Sequence, residues 1–344
     1  MQAGQYDLNT PRIAWCCPHG GGKFRFHCDE WPEPIHSFTN WTRYTNSILF
    51  YGEDEMATEK SRLDDCDGFF FMQSVGRIPK MVDQLREWYG DSKKIAILTD
   101  GYAFDFAEEK RPCPDYVNCV NEKVDLILGN RPDIPTNWRH LTDTEIFWLG
   151  FPVEDAYVNQ FRVPLHQRNK NLVSLGGGVG CVTGALAIHR AFPDVKFLAF
   201  KTPSHEYDRR RIRGSGWFEG LNIPIRSMPD SPWKKFLEKT GKCYIGIHFD
   251  LAGQMGRFST DHAILRVPLI STNRCGRHEQ LQPNLTVYPL DDGLGEMIEL
   301  FAKLRDDPSF YKDCARLAAR NALDIYGIEP SLARWGELMR KLFG

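Results

Sequence analysis

Asp100 ends the apolar run KKIAILTD, which spans residues 93–100. A buried parallel strand of this kind ends at the carboxyl edge of its sheet, where α/β proteins bind their ligands. A carboxylate at that edge can take a proton from a hydroxyl while the hydroxyl attacks an electrophile. Asp100 is therefore the first candidate for a general base, with Asp105 and then His19 in reserve.

A glycine-rich stretch, HGGGKFRFHCDEW (19–31), follows the first apolar run of the chain. It too is expected at a carboxyl edge, where Gly21 and Gly22 let a ligand approach the backbone closely. Lys23 is a cation suited to a phosphate. The alternative, a surface loop without ligand contacts, stays open.

A dense cationic segment, KTPSHEYDRRRIRGSGWF, occupies residues 201–218. Such a loop can neutralise nucleic-acid phosphates and lay an aromatic ring against a base. Two alternatives remain open, a solvated run of charge and arginines directed to a smaller anionic ligand. The candidate contacts are Arg209, Arg210, Arg211, Arg213 and Trp217.

The composition indicates a folded protein of two ordinary domains, with 344 residues, 42% of them hydrophobic and 26% charged. The net charge of −2 gives no general argument for a polyanionic partner. The N-terminus lacks the basic start and apolar core of a signal peptide, and no apolar run is long enough to span a bilayer. With ten scattered cysteines, these features predict a cytosolic protein with reduced thiols and no membrane partner.

Short apolar runs alternate with helical patterns along the whole chain, as in a parallel sheet wrapped by helices. In the first half, strands are predicted at RIAWCC (12–17), SILFYG (47–52), DGFFFMQS (67–74), KKIAILTD (93–100), VDLILGN (124–130) and TEIFWLGF (144–151). In the second half they are predicted at NLVSLG (171–176), VKFLAFK (195–201), NIPIRSM (222–228), CYIGIHF (243–249) and VPLIST (267–272). The polar stretch RVPLHQRNKN (162–171) between the halves is the predicted linker.

The stretch GQMGRFSTDHAILRVPLISTNRCGRHEQLQPNLTVYP, residues 253–289, resembles the C-terminal domain of GT-B glycosyltransferases. It shares a glycine-rich turn, an acidic residue opening a helix, a proline, an apolar strand and a second short strand. The closing helices also resemble those of this class. The resemblance implies an α/β fold of two Rossmann-like, doubly wound parallel-sheet domains facing a cleft. Its parts are an acceptor domain (1–165), a donor domain (166–328) and a last helix (329–344) crossing back to the first domain.

The resemblance also implies a nucleotide-sugar donor, most simply a UDP-sugar, bound without a metal or another cofactor. In the family a helix N-terminus faces the donor diphosphate, and a carboxylate takes the ribose hydroxyls. Asp261, seven residues before Pro268, holds the position of that carboxylate, where many members carry glutamate. Arg257 is the implied pyrophosphate ligand. A helix cap for Asp261 and a solvated Arg257 are the alternatives.

Two further segments have implied donor contacts. Gly176, Gly177 and Gly178 follow the first strand of the second half, where the backbone must approach the diphosphate. A tight turn between strand and helix is the alternative. Arg226 and Met228 lie in the segment that commonly reads the nucleotide base by main-chain contacts.

A narrower resemblance concerns the acceptor. The run ILTDGYAFDF (97–106) is similar to a strand of phage DNA β-glucosyltransferases, in which the aspartate acts as base toward a hydroxymethylpyrimidine. It implies glycosylation of a 5-hydroxymethylpyrimidine in double-stranded DNA, by a monomer in the cytoplasm, or the host cytoplasm if phage-encoded. The alternative acceptors are a saccharide, a lipid-linked glycan or a small-molecule hydroxyl. An inactive transferase fold that only binds nucleic acid is the alternative of another class.

Other motifs fit less well. Asp65 and Asp67 have the Asp-x-Asp spacing of a metal site, but they precede an apolar strand instead of ending one. The cysteines and histidines between residues 16 and 36 lack a paired zinc-ligand spacing. GGGK lacks the full P-loop pattern, and GGGVGCVTG lacks the acidic residue that dinucleotide binding requires after the next strand.

Overall fold

The computed structural model describes residues 7, 9–17, 38–72, 77–99, 113–129, 134–176, 179–200, 222–228, 233–249, 256–289 and 291–344. The chain divides into two compact units. Unit 1 comprises Met1–Val153 with Tyr326–Gly344, and unit 2 comprises Glu154–Ile325. Each unit contains a six-stranded, all-parallel sheet.

The sheet of unit 1 has the order β2-β1-β3-β4-β5-β6. Its strands are β1 (Ile13–Cys17), β2 (Ser47–Tyr51), β3 (Gly68–Met72), β4 (Lys94–Thr99), β5 (Leu126–Gly129) and β6 (Ile146–Trp148). The helices are α1 (Gly52–Thr58), α2 (Lys60–Asp64), α3 (Ile78–Tyr89), α4 (Cys113–Lys123) and α5 (Ile134–Trp138). All six strands lie in predicted apolar runs. In the central strands this continuous apolar character follows from burial on both faces, and the phenylalanines of β3 have no exposed surface.

The sheet of unit 2 has the order β12-β11-β10-β7-β8-β9. Its strands are β7 (Asn169–Leu175), β8 (Lys196–Phe200), β9 (Ile225–Met228), β10 (Cys243–His248), β11 (Leu269–Thr272) and β12 (Thr286–Val287). The helices are α6 (Asp155–Asn159), α7 (Val179–Ala191), α8 (Trp233–Thr240), α9 (Arg257–Ile264), α10 (His278–Leu281), α11 (Gly293–Asp306) and α12 (Pro308–Tyr326). Counted within the unit, the order is 6-5-4-1-2-3, that of a doubly wound Rossmann sheet. The strand order reverses between β7 and β10, and ligands of such sheets bind at that switch point.

The last helix, α13 (Ile328–Phe343), packs on unit 1. The ring of Trp335 stacks on Trp41 with centroids 5.2 Å apart and meets Phe70 edge to face at 5.8 Å. Arg334 Nε donates a hydrogen bond to the carbonyl oxygen of Leu149 at 3.0 Å. These contacts place the C-terminus of the chain in the same compact unit as its N-terminal half.

The predicted boundary at residue 165 falls inside unit 2, which begins at Glu154. The segment expected to be a linker is held within that unit. Arg168 is only 7% exposed, and its Nη2 donates to the carbonyl oxygen of Leu265 at 2.9 Å. Sequence polarity suggested a linker, but the polar atoms are used for internal hydrogen bonds. Among the helices of the described ranges, none is long and apolar enough to cross a membrane.

Candidate functional site

The switch point of unit 2 lies between the ends of β7 and β10. Gly176 directly follows β7, and its N–H donates to the carbonyl oxygen of Ile247 at 2.9 Å. A Cβ added at position 176 would lie 2.3 Å from Cδ2 of His248, the last residue of β10. Glycine is therefore required here because the imidazole already fills the space.

His248 is a buried polar residue at this edge, with 1% of its surface exposed. Its Nδ1 lies 3.1 Å from Sγ of Cys275, and its carbonyl oxygen accepts a hydrogen bond from Ser271 Oγ at 2.9 Å. The His248 ring also contacts Phe258, with centroids 5.1 Å apart. The sequence interpretation missed His248, although the rule that selected Asp100, a polar residue ending a buried strand, would have found it.

Helix α9 begins at the same edge. Gly256, which precedes it, has a φ of 80°, and a Cβ there would lie 3.1 Å from Cα of Gly276, a residue that follows β11. Both features favour glycine at position 256. The N–H groups of a first helical turn lack acceptors within the helix, so this end is suited to an anion. Arg257, the first residue of α9, is exposed.

Asp261 lies one turn inside α9, and the first turn contains no acidic residue. The expectation that it opens or caps the helix is therefore wrong. Asp261 is 4% exposed, and its side chain accepts a hydrogen bond from Nε1 of Trp233 at 3.2 Å. Burial raises the pKa of Asp261 to about 8, although the charge of Arg257 and the bond from Trp233 both lower it. A nearly buried carboxyl group with an elevated pKa is a recurrent feature of functional sites.

A second glycine–histidine contact lets α9 pack closely on the sheet. A Cβ added to Gly246 would lie 2.6 Å from Nε2 of His262. Nδ1 of His262 lies 2.8 Å from the carbonyl oxygen of Phe258, so it must carry the hydrogen and donate. Burial lowers the pKa of His262 to about 3, which keeps the imidazole neutral. The helix that carries Arg257 and Asp261 thus packs on the sheet through an uncharged histidine ring.

Of the other residues predicted to contact the donor, the structure describes two and leaves two undescribed. Arg226 is exposed on β9, the edge strand beside β8, and Met228 ends that strand. Gly177 and Gly178 lie outside the described residues. The structure therefore brings together the neighbourhood of Gly176 and the start of α9, through His248 and Phe258.

All of the residues predicted to act on or bind the acceptor lie outside the described ranges. β4 ends at Thr99, the residue before Asp100, as the apolar run predicted. Asp100 itself is not described, and neither are Asp105 and His19. The same holds for Gly21, Gly22, Lys23, Arg209, Arg210, Arg211, Arg213 and Trp217.

Asp65 and Asp67, the Asp-x-Asp pair, lie at the amino edge of the unit 1 sheet, because they precede β3, which begins at Gly68. Asp67 Oδ2 accepts a hydrogen bond from the N–H of Arg12 at 2.8 Å, and Asp65 lies 3.8 Å from the Arg12 guanidinium. Within the described residues, no group of three or more histidine, cysteine or acidic side chains is arranged to hold a metal ion. The cysteines described there are free thiols.

No protein-family model and no curated protein sequence matches the chain. Solved structures do share its fold. Sucrose-phosphate synthase from Thermosynechococcus elongatus superposes with a TM-score of 0.63 at 14% identity, covering 97% of this chain and 99% of that one. HepE from Anabaena, in complex with UDP and glucose, gives a TM-score of 0.65 at 11% identity, covering 96% and 100%.

A third similar structure is an α-glucosyltransferase in complex with UDP and a 13-mer DNA containing a HMU base. Its TM-score is 0.62 at 11% identity, covering 96% of this chain and all of that one. The fold is therefore that of GT-B glycosyltransferases, with two doubly wound parallel-sheet units. Both resemblances identified in the sequence, to GT-B glycosyltransferases and to phage DNA β-glucosyltransferases, have counterparts among these structures, the DNA-bound one being an α-glucosyltransferase.

Proposed function

We propose that this protein is a glycosyltransferase that moves a sugar from a UDP-sugar to a hydroxyl acceptor. The observation that carries the proposal is the meeting of Gly176, His248 and the start of α9 at the switch point of unit 2. Ligands of doubly wound sheets bind at that position. Two of the three structures described above contain UDP, which fits a nucleotide diphosphate at such an edge.

The donor contacts follow from the chemistry of each group. The diphosphate would lie against the turn beginning at Gly176 and the N-terminus of α9, where backbone N–H groups and the helix dipole stabilise negative charge. Arg257, exposed at the first position of the helix, would add a cation. Asp261 would accept hydrogen bonds from the ribose hydroxyls, which replaces the solvation that it lacks in the free protein.

The transfer step requires a proton acceptor. The acceptor oxygen bonds to the anomeric carbon, the bond from that carbon to the UDP oxygen breaks, and UDP leaves with the electron pair. The proton of the attacking hydroxyl passes to the carboxylate of Asp100, the proposed general base. Attack from the face opposite UDP inverts the configuration of the sugar. A product with retained configuration would argue against this role for Asp100.

The favoured acceptor is a 5-hydroxymethylpyrimidine in DNA. Support comes from the run ILTDGYAFDF, the cationic segment 201–218, and the similar α-glucosyltransferase solved with DNA containing a HMU base. A saccharide or other small hydroxyl is the second candidate. HepE in complex with UDP and glucose, and sucrose-phosphate synthase, favour that alternative.

The test is incubation with UDP-glucose, UDP-N-acetylglucosamine and GDP-mannose, each with duplex DNA that contains or lacks 5-hydroxymethylpyrimidines. Mass spectrometry of the released nucleosides would detect a mass increase of one hexose or acetylhexosamine on the modified base. Transfer only to added mono- or disaccharides would select the second candidate. If none of the donors releases UDP or GDP, whether or not an acceptor is present, the protein is a binding module on a transferase fold.

The proposed activity requires no metal ion or other cofactor. Cationic groups and helix N–H donors would neutralise the diphosphate in place of a metal. Treatment with EDTA, followed by assay with and without added Mg²⁺ or Mn²⁺, tests this part separately. Unchanged transfer is the expected result.

A further inference from the structure

Two arginines bind the C-terminal end of α9, the helix whose other end is the proposed diphosphate site. Arg168 donates from Nη2 to the carbonyl oxygen of Leu265 at 2.9 Å and from Nη1 to that of Arg266 at 2.6 Å. Arg162 Nη2 donates to the carbonyl oxygen of Ile264 at 3.1 Å. Three consecutive carbonyl oxygens, those of residues 264–266, lack N–H donors within the helix and thereby accept hydrogen bonds from cationic side chains.

Arg168 is held rigidly. Its Nε donates to the carbonyl oxygen of Val163 at 2.9 Å, and its Nη1 also donates to the hydroxyl of Tyr311 at 2.9 Å. That hydroxyl in turn donates to the carbonyl oxygen of Tyr244 at 2.6 Å. With 7% of its surface exposed, Arg168 is fixed to both α9 and the core of unit 2.

The positive charge of this pair is offset only in part, by the Asp155 carboxylate, which raises the pKa of Arg162. Neither arginine forms an ion pair with an acidic side chain among the described residues. Burial lowers the pKa of Arg162, and the charges of Arg266 and Arg168 lower it further. The charge of Arg168, which is buried, is costly, and carbonyl dipoles offset only part of the cost.

We propose that Arg168, supported by Arg162, is a positioning residue for the donor diphosphate. It fixes α9 from its C-terminal end, and its charge adds to the positive potential at the N-terminus of the helix. This inference rests on the proposed donor site. α9 has eight residues, so about 12 Å separates the charge at its C-terminal end from an anion at its N-terminus. At that distance and an effective permittivity of about 20, one unit charge changes anion affinity roughly tenfold.

Calorimetric titration with UDP, at low and moderate salt, tests the proposal. Arg168→Met, which removes the charge at similar length, should weaken UDP binding roughly tenfold at low salt and less at moderate salt. Arg168→Lys, which keeps the charge, should stay within about threefold of the wild type. Arg162→Met should show a loss in the same direction, and it serves as the second charge-removal variant if Arg168→Met does not fold.

The matched control is Arg305→Met. Arg305 is also an arginine of unit 2, but among the described residues its guanidinium donates to the carboxylate of Asp194, at 3.2 and 2.9 Å. Its removal is expected to change the melting temperature and leave UDP affinity unchanged.

Wild-type affinity in the charge-removal variants would overturn the inference. The inference would also be overturned if, in every variant including the control, the loss of UDP affinity paralleled the loss of melting temperature. If the wild type itself binds neither UDP nor a UDP-sugar, the proposed function fails, and this inference fails with it. That outcome is distinct from normal wild-type binding with unaffected variants.

Discussion

The imidazole of His248 occupies the space that any side chain at position 176 would need, since a Cβ there would lie 2.3 Å from Cδ2. The ring has little freedom to move, because Nδ1 contacts Cys275 Sγ at 3.1 Å and the ring packs on Phe258. The turn proposed to receive the diphosphate and the helix proposed to face it are therefore coupled through one side chain.

Gly176→Ala should weaken UDP binding by roughly tenfold or more, because displacing His248 costs on the order of 1–3 kcal/mol. Titration with UDP measures the effect. Gly336→Ala is the matched control, since only the flexible end of Arg340 lies within 4 Å of the added Cβ. That change in α13 should leave UDP binding intact and raise stability slightly. Equal UDP affinity in Gly176→Ala and the wild type would contradict the coupling.

Asp261 predicts a pH-dependent donor affinity. Its pKa of about 8 means that the free protein is largely protonated there at neutral pH, whereas ribose hydroxyls are best accepted by the carboxylate. UDP affinity should therefore rise with pH from about 6.5 to 8.5, with proton release on binding. Asp261→Asn should bind UDP more weakly, with a flatter pH profile. Calorimetry in buffers of different ionisation enthalpy measures the released protons.

The carboxyl group of Asp261 also affects stability: as pH rises, UDP affinity should increase, whereas the free energy of unfolding should decrease. Because its folded pKa is raised above the ordinary 3.8, the folded state binds more protons than the unfolded state between pH 3.8 and about 8. Its contribution to the free energy of unfolding is complete below pH 3.8 and is lost as pH rises through about 8. Asp261→Asn should remove this loss, as measured by denaturant unfolding at pH 6 and 8.5.

Asp100→Asn should lower the transfer rate by roughly 10²- to 10⁴-fold, because the amide cannot accept the hydroxyl proton. UDP affinity should stay unchanged, since Asp100 has no proposed donor contact. Asp105→Asn, its neighbour in the same run and the reserve candidate, is the control. If Asp105→Asn loses transfer and Asp100→Asn keeps it, the two assignments must be exchanged.

The cationic segment predicts salt-dependent DNA binding. Replacing Arg209, Arg210, Arg211 and Arg213 with glutamine should weaken binding to duplex DNA and reduce the slope of log affinity against log salt by up to about 3–4. Fluorescence anisotropy from 50 to 200 mM salt measures both quantities. The control is the exposed pair Arg316 and Arg320 on α12, replaced in the same way. An unchanged slope in the first variant would favour a smaller acceptor.

The sequence was sufficient to predict the sheets, because buried parallel strands must be continuously apolar and the helices between them are amphipathic. It also located the edge at which β4 ends and the helix that carries Asp261. It did not identify the boundary at Val153, because the polar segment 162–171 has the composition of a linker. Its polarity reflects internal hydrogen bonds that no local pattern reveals.

The tertiary structure alone decided how the candidate site is assembled. The sequence resemblance predicted that Asp261 opens a helix. Only the tertiary structure shows that it is buried one turn inside α9, where it contacts Trp233. His248 and Gly176 are far apart in the chain, and they meet because the doubly wound order brings β7 beside β10. Most strands of unit 2 lie between Arg168 and Leu265 in the sequence, and only the folded sheet brings the Arg168 guanidinium to the end of α9. Apolar periodicity is local and can be predicted from sequence, whereas contacts between distant residues depend on strand order and packing.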